Sequence, residues 1–281
     1  MDPTPSAGSR NPRAGRDLRA AIIVGLLLGA GILTALFTVR QVFIGIVAAA
    51  VAVATWELAG ALRRGPGIRV ALPPVLLGGQ AMVWLAWPFG RDGVLIALVL
   101  TVLASLLWRF AGGAADYVRD TSASLFTVMY VPGFAAFAAL LVVPADGTAR
   151  VLSFMLCGVA SDIGGYAAGV LGGRHPMAPS ISPKKSWEGF AGSLSAGIAV
   201  GGLALTYLLG GRWWQGVLFG AAIVVTATAG DLIESLVKRD LGVKDMGTLL
   251  PGHGGLMDRI DSLLPSAVAS WLLLSLFLPV G

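Results

Sequence analysis

The sequence predicts an all-α polytopic membrane protein of about nine transmembrane helices, N-terminus cytoplasmic and C-terminus outside. Three observations carry that expectation. Mean hydropathy is +0.81 and 56% of residues are hydrophobic, beyond the range of an ordinary soluble domain. Nine apolar runs approach the roughly 20 residues needed to span a bilayer. The 20 Lys and Arg residues are distributed unevenly between alternate connections, as membrane topology requires.

Residues 1–19, rich in Pro, Gly, Ser and Arg, read as a disordered basic cytoplasmic tail ahead of a single transmembrane catalytic domain, 20–281. The first run, 20–39, follows Arg10, Arg13, Arg16 and Arg19, so a cleaved signal peptide competes with a retained helix. Its apolar stretch is too long for a signal core, and no small-x-small site precedes Arg40, which favours retention. The second run, 41–62, carries one acid, Glu57, expected to pair with Arg63 or Arg64. Runs three to five, 70–88, 93–108 and 122–143, are almost purely apolar. Run six, 149–172, holds Asp162 and a Gly165, Gly169, Gly173 ladder. Run seven, 186–209, holds a second ladder of Gly189, Ser193, Gly197 and Gly201. Small residues at that spacing let helices approach closely in lipid. Runs eight and nine, 214–236 and 262–279, flank the most highly charged part of the chain. In lipid each run must satisfy its own backbone polar groups, so helices are expected rather than strands.

The tail holds four basic residues, and successive connections hold one, three, one, two, one, three, one and four. Alternate segments thus carry 16 against 4, which puts the tail and the even-numbered connections in the cytoplasm. Trp84, Trp87, Trp108, Trp187, Trp213 and Trp214 sit near run ends, as interfacial anchors do. The single cysteine, Cys157, lies inside an apolar run and reads as a buried thiol. No aromatic-interleaved basic patch exists, so the +5 charge does not indicate nucleic acid. A homodimer is compatible with the sequence.

The candidate site lies within 158–261. Residues 235–261 gather four basic and four acidic residues, although only 12% of the whole chain is charged. Ionisable groups beside a bilayer are costly and usually mark function. Three clusters stand out. Asp162, within run six, needs a cation, a metal or several donors; a structural hydrogen bond is the plainer alternative. Ser182 reads as a helix N-cap with Pro183 in the first turn. Lys184 and Lys185 would then sit where the helix dipole disfavours cations unless an anion binds there. A lipid-facing anchor is the alternative for that pair. In the third cluster, Asp231 and Glu234, and likewise Asp258 and Asp261, are three apart and share helix faces. Hard carboxylate ligands of this kind suit Mg²⁺, completed by substrate phosphates. Asp258 as a mere cap, and Lys238 with Arg239 as a lipid anchor, are the structural alternatives. His253 lies in a Gly-rich turn, and His175 reads as loop surface.

Residues Ser235, Lys238-Arg239, Lys244-Asp245, Pro251 with His253-Gly254-Gly255, and Asp258-Arg259-x-Asp261 resemble the signature of the phosphatidate cytidylyltransferases. The stretches around Ser182–Gly189 and Asp162 also resemble that family. The resemblance covers the last 130 or so residues. It implies CTP and phosphatidate as substrates, CDP-diacylglycerol and pyrophosphate as products, and a role in phospholipid biosynthesis. It further implies a divalent-metal site, with Mg²⁺ as one or two ions, on Asp231 and Asp258, to which the spacing of the acids adds Asp261. Lys244 and Asp245 join those three as catalytic residues. Ser182, Lys184, Lys185, Lys238, Arg239, His253 and Asp162 are then the substrate-binding set. The expected location is an integral inner or plasma membrane, with the site facing the cytoplasm. A CTP-dependent lipid kinase, a cytidylyltransferase for another lipid phosphate, and a transporter are the alternatives.

Overall fold

The computed structural model describes residues 29–247, 249 and 254–279. The expected tail and the start of the first run therefore lie outside the described residues. Helix α1 (Gly29–Thr38) is the described part of that run. Among the described residues seven helical stretches are long and apolar enough to cross a membrane. They are α2 (Arg40–Arg64), α3 (Leu72–Phe110), Tyr117–Val142, α6 (Gly147–Gly172), α7 (Trp187–Leu209), α8 (Trp213–Asp240) and Met257–Phe277. Tyr117–Val142 comprises α4 (Tyr117–Val128), a π turn at Met129–Gly133 that absorbs Pro132, and α5 (Phe134–Val142). Met257–Phe277 comprises the short α9 (Met257–Ile260) and α10 (Leu263–Phe277).

The expected third and fourth runs fall inside one stretch, α3, of 39 residues. Straight, it would measure roughly 58 Å, about twice a hydrocarbon core. It is not straight. Gly90 takes φ 54° and ψ −139°, a conformation that only glycine adopts readily. The chain reverses there: a Cβ on Gly78 would lie 1.8 Å from Thr101 Oγ1. In a continuous helix those residues would be about 35 Å apart. Thus α3 is a helical hairpin whose arms match the two runs.

The all-α expectation needs one amendment. Strands β1 (Pro176–Ala178) and β2 (Ser182–Ser186) pair antiparallel between α6 and α7, with Pro176 opposite Ser186 and Ala178 opposite Ser182.

The two ends of the bundle differ. At one, Arg40 donates to the Pro144 carbonyl and Arg150 to the Leu278 carbonyl at 2.6 Å. Arg91 joins Arg150 there around a shared cavity. At the other lie the strand pair, the described residues that follow α8, 241–247, and Arg109 bound to the buried Asp120 at 2.5 Å. The apolar core runs through α2, α3, α5, α8 and α10, with Leu58, Met82, Ala136, Phe219 and Leu274 fully buried.

Candidate active site

Three helices are drawn together by residues that lack side-chain bulk. On the α6–α7 interface, a Cβ on Gly192 would lie 2.4 Å from Ala168 Cβ, and one on Gly165 would lie 2.3 Å from Ser193 Oγ. Ser193 in turn donates to the Ser161 carbonyl at 2.7 Å. On the α7–α8 interface, a Cβ on Gly220 would lie 2.0 Å from the Gly197 carbonyl oxygen, and one on Gly201 would lie 2.5 Å from that of Gly216. The two ladders expected to pack helices therefore do so. A further contact was not read from the sequence. Gly230 admits the α9–α10 junction against α8, where a Cβ would strike the Asp261 carbonyl oxygen at 2.5 Å. That approach sets Asp261 within electrostatic range of Asp231 and Glu234.

Between α6, α7, α8 and the strand pair lies a cavity of about 220 Å³. Its polar lining includes Asp162, Lys184, Lys185, Thr228 and Asp231. Lys185 forms an ion pair with Asp231, and both are partly exposed. Asp162 lies within the field of both. Lys184 is exposed at the rim.

The helix start expected at Ser182 is displaced. Residues Ser182–Ser186 form β2, and α7 begins at Trp187, capped by Ser186, whose Oγ accepts from Gly189 N at 3.1 Å. Glu188 decides the matter. Its Oε2 accepts the N–H groups of Arg174 and His175 at 3.2 Å each, and its Oε1 meets His175 Nδ1 at 2.5 Å. This closes the base of the strand pair, so residues 182–186 are held extended rather than helical. Lys184 and Lys185 therefore approach the site from a strand and not from a helix's first turn. Ser182 sits opposite Ala178, outside the cavity lining, and Arg239 reaches the neighbouring Ile181 carbonyl at 3.4 Å. His175 is exposed, as expected.

A second group lies one to two turns further along α8. Lys238 pairs with Glu234, four residues earlier, and donates to Asp258 Oδ1 at 2.9 Å. Asp258 also accepts Gly255 N at 2.8 Å and Met246 N at 3.1 Å. It thereby ties together backbone on the connection before α9, and it is not a helix cap, since α9 begins at Met257 without a side-chain cap bond. Asp261 is buried and accepts Ser262 N at 2.8 Å. Lys244 and Asp245 are exposed on the connection, and a Cβ on Gly254 would sit 3.2 Å from both an Asp245 and an Asp258 oxygen. His253 lies outside the described residues. Glu234 belongs to the site although only its spacing from Asp231 pointed to it. Its distance of four from Lys238 was the further signal.

Glu57 does not pair with Arg63 or Arg64. Its Oε2 accepts the backbone N–H of Met257 at 2.8 Å, while Arg64 donates to the Met246 carbonyl at 3.0 Å. The partners are backbone groups about 200 residues away, which no local charge pattern shows.

The donor set suits a divalent cation. Lys185 pairs with Asp231, and Lys238 with Glu234 and Asp258. Glu234 Oε1 is buried without a hydrogen-bond partner. Among the described residues no three carboxylates, histidines or cysteines converge into a closed cage.

The sequence is similar to known proteins over nearly its whole length. A model described as the cytidylyltransferase family matches residues 19–277. A phosphatidate cytidylyltransferase of Mycobacterium bovis is 51% identical over 277 residues, covering 94% of this chain and 90% of that protein. One from Mycobacterium tuberculosis strain H37Rv is 51% identical, covering 94% and 84%. One from Mycobacterium leprae is 48% identical, covering 94% and 90%. The chain belongs to the cytidylyltransferase family.

Proposed function

We propose that this protein is a phosphatidate cytidylyltransferase. It transfers CMP from CTP to phosphatidate, releasing pyrophosphate and forming CDP-diacylglycerol. The observation that carries the reading is the cavity where Lys184, Lys185, Asp162 and Asp231 meet among membrane-spanning helices, in a chain whose relatives bear that name. A phosphatidate oxygen attacks the α-phosphorus of CTP, and the bond from that phosphorus to the bridging oxygen breaks as pyrophosphate leaves. The nucleophile is already ionised at neutral pH, so the chain needs no strong base. Its task is to bring two polyanions together.

Lys185 and Lys184 serve phosphate at the cavity, Lys185 exchanging its Asp231 partner for a substrate oxygen. Lys238, held by Glu234 and Asp258, presents a second fixed cation. Arg239 and Lys244 lie nearby, at the end of α8 and on the connection that follows it. The expected Mg²⁺ would be held by one or two of the carboxylates Asp231, Asp258 and Asp261, with substrate phosphate completing its shell, and would neutralise charge on the α-phosphate and the leaving group.

The same proposal includes nine crossings, a cytoplasmic N-terminus and site, and an outer C-terminus. The 16-to-4 basic asymmetry, the two arms of α3, and the shared end of Arg40, Arg91 and Arg150 support it. Association into a homodimer is a separate proposal, tested by crosslinking in the membrane.

The decisive assay supplies purified protein with CTP labelled at the α-phosphate, phosphatidate and Mg²⁺. Label entering lipid with release of pyrophosphate is the expected result. CDP as product would identify a kinase instead, and substrate movement without nucleotide turnover a transporter.

A further inference from the structure

Glu57 lies on α2, in the half of the chain without signature residues, and is 2% exposed. Its surroundings are the backbone of the signature connection. Beside the Met257 hydrogen bond, the N–H groups of Leu256 and Leu249 contribute to the field around the carboxylate. Two glycines close over it. A Cβ on Gly247 would lie 2.1 Å from Glu57 Oε1, 2.3 Å from Cδ and 2.7 Å from Cγ, so its three nearest obstacles are all Glu57 atoms. A Cβ on Gly255 would lie 2.6 Å from Oε2 and 2.7 Å from Gly247 N. Seven residues further along α2, on the same helix face, Arg64 holds the Met246 carbonyl.

These grips coincide with what holds Asp258. The N–H groups of Met246 and Gly255 bind the Asp258 carboxylate, and each belongs to or adjoins a glycine packed on Glu57. Met257, bound directly by Glu57, precedes Asp258 in the chain. A buried carboxylate gains its full value only when donors surround it. Here Oε2 takes the Met257 N–H, next to Asp258, while Oε1 is buried against Gly247 without a hydrogen-bond partner. An apolar residue at position 57 would fill space without holding an N–H group.

We infer that Glu57 is a positioning residue for CMP transfer, clamping Gly247, Gly255 and Met257 so that Asp258 and Lys238 keep their mutual geometry. The inference rests on the proposed transferase reading for its kinetic consequence, whereas the clamp itself is a property of the backbone.

The test is a cycle of Glu57→Ala, Gly247→Ala and the double variant, purified in detergent and assayed for CMP transfer per folded molecule. Each single variant is expected to lower kcat tenfold or more. In the double variant Gly247→Ala should add no further loss, because its obstacle has been removed; such coupling is the mark of direct contact. Glu57→Gln keeps an acceptor for the Met257 N–H and should recover most of the activity lost in Glu57→Ala. Glu57→Asp, one methylene short, should lose activity with its charge intact, and it serves if Glu57→Ala fails to fold. Backbone hydrogen exchange of the 242–258 segment gives a readout independent of turnover and should accelerate in Glu57→Ala and Glu57→Asp. Folded Glu57→Ala or Glu57→Asp with near-normal kcat, equal losses from Gly247→Ala in both backgrounds, or unchanged exchange would each overturn the inference. Absence of CMP transfer by the unaltered protein would instead overturn the transferase reading, and exchange would still decide the clamp.

Discussion

The helices after residue 147 and those before it are held together by different means. In α6, α7 and α8 the backbones themselves touch, through Gly192 against Gly164, Gly201 against Gly216 and Gly220 against Gly197. In α2, the α3 hairpin and α5 much of the contact is made by buried side chains such as Leu58, Met82 and Leu141. Bulky packing tolerates repacking at modest cost, whereas a backbone contact leaves nothing to rearrange. The difference follows what each half carries. Close approach brings Asp162, Lys185 and Asp231 from separate elements into one cavity, and the bulkier half supplies the frame. Yet the division is incomplete, since the frame reaches into the site through Glu57 and Arg64.

The largest effect should follow loss of charge in the closely packed half. Asp231→Asn and Asp258→Asn keep side-chain size, and each should lower CMP transfer by ~100-fold, as loss of a metal ligand or its support does. Near-normal turnover of both at saturating Mg²⁺ would remove the catalytic role from that half. Next, Gly220→Ala should destabilise by about 1–3 kcal/mol through overpacking. An added methyl at Ala97, on the bulkier side, should cost less. Thermal unfolding in detergent compares the two, and equal shifts would break the contrast.

Lys185→Gln should lower kcat/KM by about tenfold or more, since a charge-assisted hydrogen bond contributes roughly 1.5–3 kcal/mol. Lys184→Gln, at the exposed rim, should lose less. Varying CTP and phosphatidate separately would tell which phosphate each lysine meets, and unchanged kinetics in both variants would return the pair to a lipid-anchor role. The smallest effect is expected for Ser186→Ala, which removes the α7 cap at about 1 kcal/mol. A loss at Ser182→Ala as large as at Ser186→Ala would sink the revised helix start.

The sequence made legible whatever depends on neighbours along the chain. Apolar runs located α2, both arms of α3, and α6 to α8, because burial in lipid is a length and composition rule. Lys238, Asp231 and Asp258 stood out because charge is scarce in this chain. What escaped depends on distant backbone. Ser182-Pro183 has the local form of a helix start, but Glu188 binding the N–H groups of Arg174 and His175 favours a strand. Glu57 has arginines within reach in sequence and binds Met257 instead. Gly230 looks like any helical glycine until Asp261 is seen against it.

The α3 hairpin also acts as a ruler. Its arms, 72–89 and 91–110, are about 27 and 30 Å long at 1.5 Å per residue, close to a bilayer's hydrocarbon thickness. By the same measure α8, with 28 residues, is about 42 Å long. A helix that exceeds the thickness set by its neighbours must tilt or protrude. The last turn of α8 carries Lys238 and Arg239, so a protrusion at that end would bring these two cations, though not the buried Glu234, toward the water.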